Sequence, residues 1–164
     1  WERSVSVSAL AYVIAKKMTL LNPDEAMFAG IVHDLGRFFL LARAGDYPDL
    51  LENPAALAET VNDLNEQATL RLLEALELPS AAVDAVTSSS DDGTPRSLAM
   101  RTLGDVLFAA KALSPRPDPF ATLDARESAT GDAAEALAFD QDTTAEVIAA
   151  SGDEIYSIII ALES

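Results

Sequence analysis

No cysteine occurs anywhere in the 164-residue chain, which rules out a disulfide framework and any zinc–thiolate site. Histidine is nearly as scarce. His33 is the only one, so no site that needs two imidazoles can be built. Basic residues are few: 11 Lys and Arg stand against 27 Asp and Glu, a formal charge of −16. A polyanion of that size repels phosphate backbones and anionic lipid surfaces, so neither nucleic acid nor membrane is an expected partner. The plain reading of the charge is solubility, and the sharper one is an acidic docking face for a basic partner. No apolar run reaches the length of a membrane span. Together with the absence of cysteine, this makes the cytoplasm the expected location.

What is present is helical pattern. Hydrophobic residues make up 49% of the chain, enough for one domain with a sizeable core. Val7, Leu10, Ala11, Ile14 and Met18 recur at spacings of three and four, predicting a helix over Ser4 to Leu21 with one buried face. Asn22-Pro23 ends it. Asp24 and Glu25 favour the start of a second helix, with Ala26, Ala29, Val32 and Leu35 as its stripe and Gly36 as its stop or kink. Phe38 to Ala42 predicts a short core helix. A third main helix is expected from Ala55 to Leu76, carrying Leu57, Val61, Leu64, Ala68, Leu72 and Ala75 on one face and closed by Leu78-Pro79.

Ala82 to Thr87 reads as a fourth helix. A fifth is expected from Pro95 through Ala110, and Ser114 to Pro119 is the stiffest break. Ala121 to Thr143 is weakly patterned, and a last helix from Thr144 carries Ile148, Ile155, Ile159 and Leu162, with Gly152 weakening its middle. No strand pattern emerges. The expected fold class is all-α.

The most informative segment runs from Asn22 to Arg37 and ends in the doublet His33-Asp34 at the carboxyl end of a helix. Together with Trp1 to Ala11 and with Leu70 to Pro79, it resembles the HDOD family, a regulatory branch of the HD phosphohydrolase superfamily. The resemblance implies an HD-domain-like helical bundle. Active HD enzymes fix a catalytic metal with several ligands from different helices. In their pattern a histidine falls where this chain has Arg3, another where it has Asn65, and a histidine pair near Ser89 and Ser90. Arginine is a permanent cation and does not coordinate metals.

His33 and Asp34 alone supply too few ligands for an octahedral or tetrahedral shell. The doublet is therefore expected to be vestigial, with His33 bonded to a neighbouring helix and Asp34 capping or pairing with Arg3 or Arg37. No catalytic residue, no metal ligand and no cofactor are expected. Ser88 to Ser90 lacks the base that a serine nucleophile needs. Phe38 and Phe39 are expected in the core, the alternative being that one ring lines a partner groove.

The resemblance implies a non-catalytic output or scaffold domain in bacterial signal transduction, meeting a protein partner or an adjacent domain of the same chain. Two alternatives stand beside it. One is a metal-dependent phosphohydrolase acting on nucleotides. The other is a sensor of small anions held by Arg3 or Arg37. The chain opens at Trp1, inside a helix-forming stretch. The domain over 1–164 is thus expected to lack an amino-terminal helical segment, leaving Trp1, Val5, Leu10 and Tyr12 uncovered.

Overall fold

The computed structural model describes residues 1–89, 100–116, 118, 120 and 141–163, and every regular element among them is a helix. In chain order these are α1 (Glu2–Met18), α2 (Pro23–Val32), α3 (Leu35–Ala44), α4 (Pro48–Leu51), α5 (Pro54–Ala75), α6 (Ser80–Ser88), α7 (Leu103–Leu113), α8 (Gln141–Ala150) and α9 (Gly152–Glu163). The chain is all-α, as expected, and none of these helices is long and apolar enough to cross a membrane.

Helix α1 is the axis of the bundle. It packs against α2, α7, α8 and α9, while α3 lies along α5, and α6 bridges α2, α5 and α7. The sequence predicted one buried face for α1. Instead it is buried without a break from Ser4 to Ala11 and again from Val13 to Ala15. Val5 and Leu10 are therefore core residues and Tyr12 is half-buried, correcting the expectation that all three lie uncovered; only Trp1, 55% exposed, does so. Small side chains make this possible. The Ser8 hydroxyl donates to the Met27 carbonyl at 2.8 Å, and a Cβ on Gly30 would come within 2.5 Å of the Ser8 Cα, so α1 and α2 cross nearly backbone to backbone. Val7, Leu10 and Ile14 then join Leu73, Val106 and Leu107 in the main core, each large side chain contributing about 1.5–3 kcal/mol.

The turn between α2 and α3 positions the doublet. Asn22 caps α2 by accepting from the Asp24 amide at 3.0 Å, with Pro23 in the first turn. The helix ends at Val32, with His33 as its C-cap residue and Asp34 as the residue that opens α3. Gly36 is thus not the stop but part of the first turn of α3, and Phe38 to Ala42 continue the same helix. What requires glycine at position 36 is α5: a Cβ there would meet the Asn65 carbonyl oxygen and the Thr69 nitrogen, both at 2.4 Å.

That approach also rotates α5. Its buried positions are Val61, Thr69 and Leu73, whereas Leu64 and Ala75 from the predicted face are exposed. The helix ends where Leu78-Pro79 predicted an end. The Leu78 amide bonds to the Leu73 carbonyl and the Glu77 amide to that of Glu74, both at 3.0 Å, with Glu77 left-handed at φ 52°.

Helix α7 starts at Leu103 rather than Pro95, behind a reciprocal cap in which Thr102 and Asp105 bond each other's amides. Pro95 and Leu98 lie outside the described residues, as do 121–140 of the alanine-rich stretch. The predicted last helix is two helices, broken at Ser151, and Ile148 and Ile155 pack on the core. Glu154 of α9 pairs with Lys16 and, at 3.8 Å, with Lys17 on α1.

Two substitutions test these backbone arguments in urea unfolding. Gly36→Ala forces α3 and α5 apart and is expected to lower stability by about 3 kcal/mol. Glu77→Gly relieves the left-handed residue and is expected to raise it by roughly 1 kcal/mol.

Candidate functional site

Arg3 from the first turn of α1, His33 and Asp34 from the α2–α3 turn, Arg37 one turn into α3 and Asn65 from α5 converge in one buried cluster. Asp34 sits at its centre. One carboxylate oxygen, Oδ2, lies 3.6 Å from Nη1 of Arg3, 3.5 Å from Nη1 of Arg37 and 3.5 Å from Nε2 of His33. The other, Oδ1, accepts from the Asn65 amide at 3.3 Å. Thr69 ties this to the glycine contact: its hydroxyl accepts from the Gly36 amide at 2.9 Å and donates to the Asn65 side-chain Oδ1 at 3.4 Å.

The hydrogen bonds fix the state of His33. Nδ1 is 2.7 Å from the Gly30 carbonyl, which only accepts, so Nδ1 carries the proton and donates. Nε2 is left with a lone pair, and Nη1 of Arg3, which only donates, stands 3.3 Å away. His33 is therefore neutral. Burial pushes its pKa down to about 4, against the attraction of Asp34 and the Gly30 hydrogen bond, with Lys111 and Arg3 adding to the fall. Burial pushes the Asp34 carboxyl up, but this is more than offset by His33 when protonated and by Arg37, Arg3 and the Asn65 hydrogen bond, which hold it below the usual carboxylate range.

Arg37 has a second partner far along the chain. Its guanidinium forms a two-pronged pair with Asp118, at 2.7 and 3.1 Å, and lies 5.2 Å from the centre of the Phe120 ring. Asn62 of α5 holds the Phe120 carbonyl at 2.8 Å. Two arginines thus face two carboxylates. Among the described residues, the Nε atoms of Arg3 and Arg37 are buried with no hydrogen-bond partner.

The structure brings Arg3, His33, Asp34, Arg37 and Asn65 together. Ser89 is buried with its hydroxyl donating to the Val86 carbonyl at 2.9 Å, and its own carbonyl accepts from Lys111 at 3.4 Å. Ser90 lies outside the described residues. Sequence reasoning missed Asp118, Phe120, Lys111 and Thr69. The first three are distant in sequence, and no local pattern marks them; Thr69 falls one position off the predicted face of α5.

The donor set does not suit a metal ion. The one imidazole lone pair faces a guanidinium, the carboxylate is shared between two, and among the described residues no three His, Asp or Glu side chains converge. The geometry fits an internal cation instead, with Arg3 supplying the positive charge that the doublet would otherwise take from an ion.

A titration tests the His33 assignment. Folded His33 stays neutral down to about pH 4, whereas the unfolded chain protonates it near 6.5. Between these values the unfolded state binds more protons. The stability is therefore fully present above pH 6.5 and lost as pH falls towards 4, and the lowered Asp34 pKa acts with the same sign. From His33 alone the loss is on the order of 3 kcal/mol. His33→Gln is expected to flatten the melting temperature profile across that window; an unchanged slope would mean that His33 is not the group responsible.

Comparison with curated proteins and with solved structures returns no match. Comparison with protein families returns the HDOD domain over residues 1–91, which spans α1 to α6 and contains Arg3, the His33-Asp34 doublet, Arg37 and Asn65. That match covers more than half of the 164 residues, and the chain belongs to the HDOD family.

Proposed function

We propose that this HDOD domain is a non-catalytic output or scaffold module of bacterial signal transduction, acting through contacts with a protein partner or an adjacent domain of the same chain. One observation carries the reading: the Arg3 guanidinium lies against both halves of the doublet, 3.3 Å from His33 Nε2 and 3.6 Å from Asp34 Oδ2. Arginine keeps its proton at any physiological pH, so this cation neither ionises a water nor exchanges with solvent. The cluster holds helices together and activates no nucleophile. Ser89, its hydroxyl engaged by a main-chain carbonyl, supplies none either. The domain acts by the surfaces that its helices present.

A second reading, a sensor of small anions at Arg3 and Arg37, draws on their unpartnered Nε atoms. Against it, Asp34 and Asp118 already provide both guanidinia with carboxylates.

Plasma emission spectrometry on the dialysed protein, with hydrolysis assays on nucleotides and cyclic dinucleotides, tests the main reading. The expected result is less than a tenth of an equivalent of iron, manganese or zinc, and turnover at background. Asp34→Asn should lower stability by roughly 3 kcal/mol, because it strands the buried Arg3 guanidinium and leaves Arg37 with Asp118 alone. Turnover by the wild type that Asp34→Asn abolishes at unchanged melting temperature would establish an enzyme instead.

A further inference from the structure

An apolar groove runs between α3, α4 and α5 on the outside of the domain. Its main hollow, about 430 Å³, is lined by Phe39, Leu40, Tyr47, Leu57, Val61 and Leu64 among others. Of the large apolar side chains left exposed, Phe39 (47%), Tyr47 (60%) and Leu64 (41%) face into it, and Leu51 (50%) follows at the end of α4. Phe39 was expected in the core. Its neighbour Phe38 is half-buried, its ring 6.2 Å from that of the exposed Trp1. Concentrated exposed apolar surface of this kind marks an interaction site, whereas scattered single residues need no explanation.

The rim supplies the second observation. A second hollow of about 530 Å³ shares Tyr47 and Leu50 with the first and is lined by Asp46 and Asp49. Arg43, the only cation lining the groove among the described residues, is already paired with Asp46 at 3.1 Å. Asp49 and Glu52 at that end are exposed and are left as excess negative charge. A groove with an apolar floor and an acidic end selects a ligand with an apolar face and basic flanks.

The same charge argues against the two occupants nearest to hand. Residues 121–140 of this chain carry five acidic residues, Asp124, Glu127, Asp132, Glu135 and Asp140, against the single Arg126. A second copy of the chain brings a further charge of −16. Both are repelled from an acidic rim.

We infer that the α3–α4–α5 groove is the docking surface for a basic amphipathic helix of another protein, with its apolar side chains over Phe39, Tyr47 and Leu64 and its lysines or arginines at Asp49 and Glu52. This rests on the interaction-module reading and names its surface.

The probe is a synthetic helical peptide with leucines on one face and lysines on the other, compared with a counterpart in which glutamate replaces every lysine. Binding to the full chain is read by fluorescence anisotropy and mapped by hydrogen exchange. The lysine peptide is expected to protect residues 39–64 and to bind at least tenfold more tightly than the glutamate peptide. Phe39→Gln combined with Leu64→Gln should weaken it at least tenfold. Leu20→Gln, at a fully exposed apolar residue away from the groove, should leave it unchanged.

Binding that ignores the groove variants, or protection on another face, would overturn the inference as charge attraction alone. A concentration-dependent dimer lost in Leu64→Gln would assign the groove to a second copy. A tenfold gain in peptide affinity when a Gly-Ser linker of equal length replaces residues 121–140 would assign it to the chain itself. All these results leave the interaction-module reading standing, whereas hydrolytic turnover would overturn that reading and leave the binding data untouched.

Discussion

A carboxylate taken out of water needs cations and donors around it, and Asp34 finds them on three different helices. Arg3 comes from α1, Arg37 from α3 and Asn65 from α5, so one buried group fixes how three parts of the bundle meet. The arrangement tolerates little rearrangement. Removing the carboxylate strands the Arg3 guanidinium and leaves Arg37 with Asp118 alone, and removing either guanidinium leaves the carboxylate short of a counter-charge, each more costly than the pairing itself is stabilising. Gly36 makes the geometry possible, because only a residue without Cβ lets α3 approach the backbone of Asn65 and Thr69 closely enough for the Asn65 amide to reach Asp34.

The electrostatics of this cluster are static. A metal ion exchanges ligands and changes the acidity of bound water. A guanidinium does neither, and the neutral His33 opposite it stays unprotonated through the physiological range, because burial outweighs the pull of Asp34. Helix α3 nevertheless links this fixed interior to the surface, with Arg37 directed into the cluster while Phe39, Leu40 and Arg43 line the outer groove.

Much of the architecture was legible locally. The start of α2 follows from Asn22-Pro23, whose asparagine caps and whose proline occupies the first turn, and α5, expected from Ala55, begins one residue earlier behind the same pairing at Asn53-Pro54. The end of α5 follows from Leu78-Pro79, and the HDOD resemblance was carried by residues that the family match includes. Where the pattern misled, the cause was tertiary. Ser4, Ser6 and Ser8 lie off the apolar stripe that spacing marked on α1, yet they are buried because small side chains allow close helix crossing. Thr69, polar and one position off the predicted stripe, is buried because its hydroxyl serves the Gly36 amide.

The sequence by itself determined the all-α class, the absence of cysteine ligands and second imidazoles, the excess negative charge, and the placing of its one histidine beside an aspartate in the His33-Asp34 doublet. These are matters of residue identity and short-range spacing, and the chain states both directly. Only the tertiary structure decided which cations Asp34 keeps, that Asp118 reaches back to Arg37 from 81 positions away, and that Phe39 and Leu64 face a groove rather than the core. Those outcomes depend on how helices distant in sequence cross, and the crossing is set by steric fit at single points such as Gly30 on Ser8 and Gly36 on Thr69.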